Sequence, residues 1–300
     1  MLLTRGADYF VDGASALADR FHIPPIVIGL TVVAMGTSAP EAFISITSAA
    51  QGSNAIAIGN VIGSNIANIF LILGITSIIY NLSIQQNTMK YEIPFVAFIT
   101  VLLCWMGLTY GMVSRGCAIG LLVFFVLFLV YLYIISKKDK KTDVDIKKIS
   151  GTKIVLYIIG GLAALVLGSD LTVDSATQIA RYLGVSERII GLTIVAFGTS
   201  VPELVTCVVA ALKKQSDIAI GNIIGSNIFN ILFVLGIAGI ISPIPFDNIF
   251  IFDDIFALFA VVMLLFFTYK TKKLGRIAGI FFVLCYAIYL VILISDKLFA

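Results

Sequence analysis

The chain has 300 residues, of which 60% are hydrophobic and 12% charged, with a net charge of +3 and a mean hydropathy of +1.08. A soluble globular protein carries about 25% charged and about 45–50% apolar residues. This composition cannot cover a water-soluble surface, and its slight positive excess gives no basis for a nucleic-acid partner.

Apolar runs of about 20 residues, the length that crosses a bilayer core, recur along the chain. Ten candidate spans are read at 1–18, 24–50, 55–80, 92–111, 116–136, 153–180, 187–212, 218–242, 250–269 and 277–295. The runs are continuous and rich in Leu, Ile, Val and Phe. They lack the short alternating pattern of a transmembrane β-barrel, so the fold class is an all-α membrane protein. No cleavable signal peptide is evident. The four cysteines form no CxxC pair and read as free thiols within spans, and the single His22 leaves no His-rich metal cluster.

The segment KKDKKTDVDIKK at 137–148 is the one strongly polar stretch. It divides the chain into residues 1–136, a charged linker at 137–152, and residues 153–300. The positive-inside rule places the 137–148 loop in the cytoplasm. Arg20, Lys90, Lys213, Lys214, Lys270, Lys272, Lys273 and Arg276 then fall on the same side, against Arg5, Arg115, Arg181, Arg188 and Lys297 on the other. Both termini are therefore expected outside a multi-pass cell (plasma or inner) membrane.

The two halves match each other. GTSAPE at 36–41 recurs as GTSVPE at 198–203, a shift of 198 − 36 = 162 positions, and GNVIGSNIANI at 59–69 recurs as GNIIGSNIFNI at 221–231. Between 36–74 and 198–236, 20 of 39 positions are identical without a gap. Five spans per half is an odd number, so the second half enters the membrane from the opposite side, the inverted-repeat plan of many secondary transporters. Ahead of Leu165 the second half has KIVLYIIGGLAAL, and Met1 comes too early for the first half to match it. The first helix is accordingly read as truncated.

Glu41 lies 41 − 25 = 16 residues beyond Pro25, about 24 Å along a helix at 1.5 Å per residue and deep in a hydrocarbon core of about 30 Å. Glu203 sits equally deep in its own span. A carboxylate at mid-membrane costs about 2.5–3.5 kcal/mol even on a lenient insertion scale. Ser38-Ala-Pro-Glu41 and Ser200-Val-Pro-Glu203 both fit a capping box with Pro in the first turn, which predicts a helix broken and restarted in mid-membrane and carbonyls freed before it. No Lys or Arg lies near the two acids in either span or in 55–80 and 218–242, so the balancing charge is expected from solution as a cation. Carboxylate, carbonyl, hydroxyl and amide oxygens are hard ligands suited to Ca²⁺, Na⁺ or Mg²⁺. The candidates are Glu41 and Glu203, the hydroxyls of Thr37, Thr199, Ser64 and Ser226, the amides of Asn68 and Asn230, and carbonyls near Ala34 and Ala196. Gly59, Gly63, Gly221 and Gly225 are read equally as close-packing residues. Asn60, Asn65, Asn222 and Asn227 are read as partners of freed backbone. Asp170 and Asp174, with their counterparts Asp8 and Asp12, are read either as ion-entry acids or as interfacial acids facing water.

The doubled GTSxPE and GNxIGSNxxN motifs resemble the repeats of the sodium/calcium exchangers of the cation/Ca²⁺ exchanger superfamily, over essentially the whole chain. The resemblance implies ten transmembrane helices in two inverted five-helix repeats, with broken helices at the ion site. It implies a Na⁺/Ca²⁺ antiporter working by alternating access, not an enzyme, with transported Ca²⁺ and Na⁺, no cofactor and no obligate protein partner. Glu41 and Glu203 would be the central ligands. Thr37 and Thr199, with the Ala34 and Ala196 carbonyls, would complete calcium and sodium positions; Ser64 and Ser226 would line the end positions; Asn68 and Asn230 would flank the centre. Asn230, where some members carry Asp, argues against a K⁺ requirement. A K⁺-dependent or H⁺-coupled exchanger, and beyond those a cation channel, are the rival readings.

Overall fold

The computed structural model describes residues 1–138, 150–184 and 196–296. The greater part of the 137–148 linker, and the opening of the span expected at 187–212, lie outside the described residues. Helix α1 runs from Leu2 to Phe21, α2 from Pro25 to Thr37, α3 from Ala39 to Ala50 and α4 from Asn54 to Ile79. Then come α5 (Thr88–Tyr110), α6 (Arg115–Lys138), α7 (Gly151–Tyr182) and the short α8 (Ala196–Gly198). They are followed by α9 (Val201–Leu212), α10 (Ser216–Ile241), α11 (Asn248–Tyr269) and α12 (Arg276–Asp296). Among the described residues, 7 helices are long and apolar enough to cross a membrane, or 8 when α2 and α3 are counted as one broken span. The protein is an all-α membrane protein.

The expected break at GTSAP is present: α2 and α3 meet at Ser38 with a bend of 52°. Pro40 and Pro202 occupy the first turns of α3 and α9, where a missing N–H costs nothing. Three π-helical segments surround this level, at Gly29–Val33 in α2, Ala67–Leu73 in α4 and Asn230–Val234 in α10. Wide turns of this kind redirect side chains and loosen the ladder, and they concentrate at functional sites.

Small residues set the closest helix approaches. A Cβ on Gly161 would lie 2.6 Å from Phe10 N, and one on Gly6 would lie 3.0 Å from Ala164 Cβ. Gly168 meets Leu3 while Gly13 meets Tyr157 and Ile158, so α1 and α7 run antiparallel with their backbones in near contact. A Cβ on Gly221 would lie 2.9 Å from Gly29 Cα, and one on Gly225 would lie 2.7 Å from Leu30 Cα. For these two glycines the close-packing reading describes the contact. The stretch 191–196, which the repeat would set against Gly59 and Gly63, falls outside the described residues save for the backbone of Ala196.

Two short antiparallel pairs tie the ends of the bundle. Leu82–Ser83 pairs with Lys273–Leu274, and Met112–Val113 with Ile244–Pro245. Each joins a connection of residues 1–138 to one of residues 150–296. The interior between helices is aromatic in places; Phe70 packs against Phe256, Phe259 and Phe282.

Candidate functional site

The helix break places Glu41 in the first turn of α3, and Glu203 occupies the same place in α9. Both side chains are fully buried, and they lie close enough to repel each other. Thr37, Ser226, Asn68 and Asn230 are likewise at 0% exposure, with Ser64 also buried. Thr199 is half-buried and adjoins Glu41, as Thr37 adjoins Glu203.

The hydrogen bonds cross between the halves. Ser38 Oγ donates to Glu203 Oε1 at 2.9 Å, and Ser200 Oγ lies 3.5 Å from Glu41 Oε1. Ser38 Oγ also lies 2.8 Å from Ser226 Oγ. Ser38 and Ser200 fit a capping box in sequence, yet neither side chain caps its helix. The physical reason is competition: a hydrogen bond to a buried carboxylate is about twice as strong as one between neutral groups. These two serines were absent from the candidate set, and S-x-x-E was the signal that hid them.

The asparagines follow the same crossed pattern. Asn68 Nδ2 donates to Asn227 Oδ1 at 2.9 Å, and Asn230 Nδ2 donates to Asn65 Oδ1 at 3.1 Å and to Ser64 Oγ at 3.4 Å. Asn65 and Asn227 are in turn fixed by each other's main chain, each amide donating to the other's carbonyl at 3.4 Å. Asn60 donates to the Glu41 carbonyl at 3.2 Å and to Ser45 Oγ at 2.9 Å, the backbone-partner role expected of it. Asn222 instead accepts from Thr37 Oγ1 at 3.0 Å and donates to Cys207 Sγ at 3.6 Å.

These bonds consume donors and leave acceptors over. Glu41 Oε2, Glu203 Oε2, Asn68 Oδ1 and Asn230 Oδ1 are buried and have no hydrogen-bond partner among the described residues. Burying an acceptor unpaired costs about 1–3 kcal/mol, and more for a charged one. Two carboxylate oxygens and two amide oxygens buried without a donor are hard acceptors, of the kind that Ca²⁺ or Na⁺ takes as ligands.

The Ala34 carbonyl accepts the Ser38 backbone N–H at 3.0 Å and has Ser226 Oγ at 3.5 Å. It is therefore not the bare carbonyl expected at a helix end, though one lone pair is free of the main-chain bond. Of Ala196 only the backbone, at the start of α8, is described.

A cavity of about 650 Å³ reaches this level, lined by Pro40, Phe43, Asp170, Asp174 and Thr199 among others. Two acid–tyrosine pairs carry no sequence motif: Glu92 accepts from Tyr131, and Asp253 Oδ1 accepts from Tyr289 at 3.0 Å, the latter pair lining a second cavity of about 550 Å³ with Asn60 and Ser64.

The sequence profile of the sodium/calcium exchanger protein family matches residues 1–134 and 153–295. The putative antiporter CaxA of Alkalimonas amylolytica is 38% identical over 99% of this chain and 96% of its own length. The sodium/calcium exchanger MaX1 of Methanosarcina acetivorans is 31% identical over 98% and 95%. A solved structure of the sodium-calcium exchanger NCX_Mj superposes with a TM-score of 0.84 at 33% identity, covering 97% of this chain and 95% of that one. With motif, buried oxygen cluster and whole-length similarity in agreement, the chain belongs to the sodium/calcium exchanger family and is a membrane transporter that exchanges cations, not an enzyme.

Proposed function

We propose that this protein exchanges Na⁺ for Ca²⁺ by alternating access, with Glu41 and Glu203 as the central ligands shared by both ions. Thr37, Thr199, Ser64 and Ser226 supply hydroxyls, Asn68 and Asn230 supply amide oxygens, and the Ala34 and Ala196 carbonyls complete the positions. The observation that carries the reading is the set of four buried oxygens, two of them carboxylate, that lack a donor. Two carboxylates balance one Ca²⁺ or two Na⁺. A doubly charged empty site in a dry interior bears a large desolvation cost, so ion-loaded states cross between faces most readily, and that asymmetry couples the two fluxes. The exchangers MaX1 and NCX_Mj are named for the same ion pair.

The same reading takes the chain as two inverted five-helix halves, 1–136 and 153–300, joined by the 137–152 linker, with ten transmembrane helices. Both termini lie outside the plasma or inner membrane and the linker lies in the cytoplasm. The matching motifs 162 positions apart and the crossed serine and asparagine bonds support it.

Uptake of radiolabelled Ca²⁺ into vesicles preloaded with Na⁺, compared with equal Na⁺ on both sides, tests the proposal. The outward Na⁺ gradient is expected to drive uptake. Uptake that ignores Na⁺ and follows K⁺ or a pH gradient would assign a different coupling ion. Uptake with no counter-ion on the far side would make the protein a channel.

Asn227 and Asn65 accept from the Asn68 and Asn230 amides, and in this reading that leaves the two amide oxygens to the ion. Loss of an outer partner of this kind costs about 10–100-fold in metal affinity. Asn227→Leu is therefore expected to raise the half-saturating Ca²⁺ concentration at least about tenfold in a binding titration of the purified protein. An unchanged titration would remove Asn227 from the site.

A further inference from the structure

The two mouths of the pathway differ in a lysine at the end of α9. On one side Asp170 and Asp174 of α7 are exposed and line the 650 Å³ cavity together with Ala39, Pro40, Phe43 and Ile44 of α3. Shifted by 162 positions, that lining becomes Asp8 and Asp12 of α1 with Val201, Pro202, Val205 and Thr206 of α9. Because α1 and α7 run antiparallel, this second set lies toward the opposite membrane face. There the space is filled: Val201 is 7% exposed, Thr206 0% and Val11 0%. Across the filled mouth, Lys213 Nζ lies 2.8 Å from Asp12 Oδ1 and 3.3 Å from Asp8 Oδ1, and it donates to the Asp8 carbonyl at 2.9 Å. The residue matching Lys213 in the first half is Gln51, which carries no charge for Asp170 and Asp174. No ion pair is formed by those two acids among the described residues.

We propose that Lys213 is a latch that clasps α1 against α9 and holds the Lys213-side mouth shut, so that the resting protein favours access from the Asp170 side. Opening the latched mouth requires α1 to leave α9, because those two helices line it, and that separation breaks both ion pairs. Opening the other mouth breaks none among the described residues. Lys213 is well placed for this as the residue that ends α9, where a helix C-terminus also favours a cation. That local role alone would leave the balance between mouths unchanged. The latch rests on the chain's being an alternating-access exchanger.

Vesicles of defined sidedness provide the test through the half-saturating Ca²⁺ concentration for exchange measured from each face. The apparent affinity at a face scales with the fraction of protein open to it. Partly exposed ion pairs shift such an equilibrium by up to about fivefold each. Lys213→Gln is expected to lower the ratio of the Lys213-face value to the Asp170-face value about fivefold. Gln51→Lys, which supplies the missing cation at the other mouth and so closes it, is expected to lower it as well, and Lys213→Arg to leave it within about twofold. A ratio unmoved by both Lys213→Gln and Gln51→Lys would overturn the latch while leaving exchange intact. Labelling of Val11→Cys by a membrane-impermeant maleimide, read against the four native cysteines, follows the same mouth without transport. Lys213→Gln is expected to accelerate that labelling several-fold, and equal rates would overturn the proposal. Accelerated labelling in a chain that exchanges nothing would retain the latch and count against the exchange reading alone.

Discussion

Glu41→Gln and Glu203→Gln are each expected to reduce Na⁺-driven Ca²⁺ uptake at least about a hundredfold, because removing one partner of a buried charge pair costs about 3–5 kcal/mol. The substitution keeps the shape of the side chain. It removes one of the two negative charges that balance Ca²⁺ and turns one of the oxygens toward the site into an N–H donor, which repels a cation. Ser38 and Ser200 remain hydrogen-bonded to the amide oxygen, so packing is preserved and the loss belongs to ion binding. The check is radiolabelled Ca²⁺ uptake together with Ca²⁺ binding to each purified variant, with correct folding shown by an unchanged melting temperature without ions. Uptake within about tenfold of the unsubstituted protein would be too small for a central carboxylate.

The second large effect falls on a residue that touches no ion. A Cβ on Gly225 would sit 2.7 Å from both Leu30 Cα and Leu30 O, and 2.7 Å from Ala34 Cβ. These are mostly backbone and short-chain atoms, so the overlap is relieved only by moving α2 away from α10. Overpacking of this kind costs about 1–3 kcal/mol. Gly225→Ala is expected to lower the melting temperature of the purified protein by several degrees. It should also impair exchange more than an equal loss of stability elsewhere, since Ser226 follows directly and its hydroxyl lies 3.5 Å from the Ala34 carbonyl. Gly225→Ala with a melting temperature equal to that of the unsubstituted chain would show that α2 and α10 separate at no cost. Gly52 offers the comparison: it has φ +78 and nothing within 4 Å of its Cβ position, so a loss there reports backbone strain and not helix separation.

Much of this protein is legible without coordinates. Composition alone places it in a membrane, since the match of apolar run length to bilayer thickness is a property of the chain in one dimension. The depth of Glu41 and Glu203 follows from counting residues, and the absence of a Lys or Arg near either acid along its span follows from reading the chain. Pro40 and Pro202 mark a helix restart, and the bend at Ser38 is where they put it. What no local pattern reveals is which donor meets which acceptor across the bundle. Ser38 and Glu41 look like partners within one turn, but the hydroxyl serves Glu203, 203 − 38 = 165 residues away. Asn65 and Asn227 look like interchangeable polar residues beside Asn68 and Asn230, but only the crossed packing of α4 on α10 makes two of them holders and leaves the oxygens of the other two unpaired. Lys213 reads as one more charge on a loop until α1 brings Asp8 and Asp12 beneath it. The sequence by itself determined the solvent, the repeat and the identity of the two buried acids, because hydrophobic burial and charge are carried by each residue alone. The tertiary structure decided partner choice and the inequality of the two mouths, because hydrogen bonds and ion pairs depend on distances of a few ångströms between segments more than 150 residues apart.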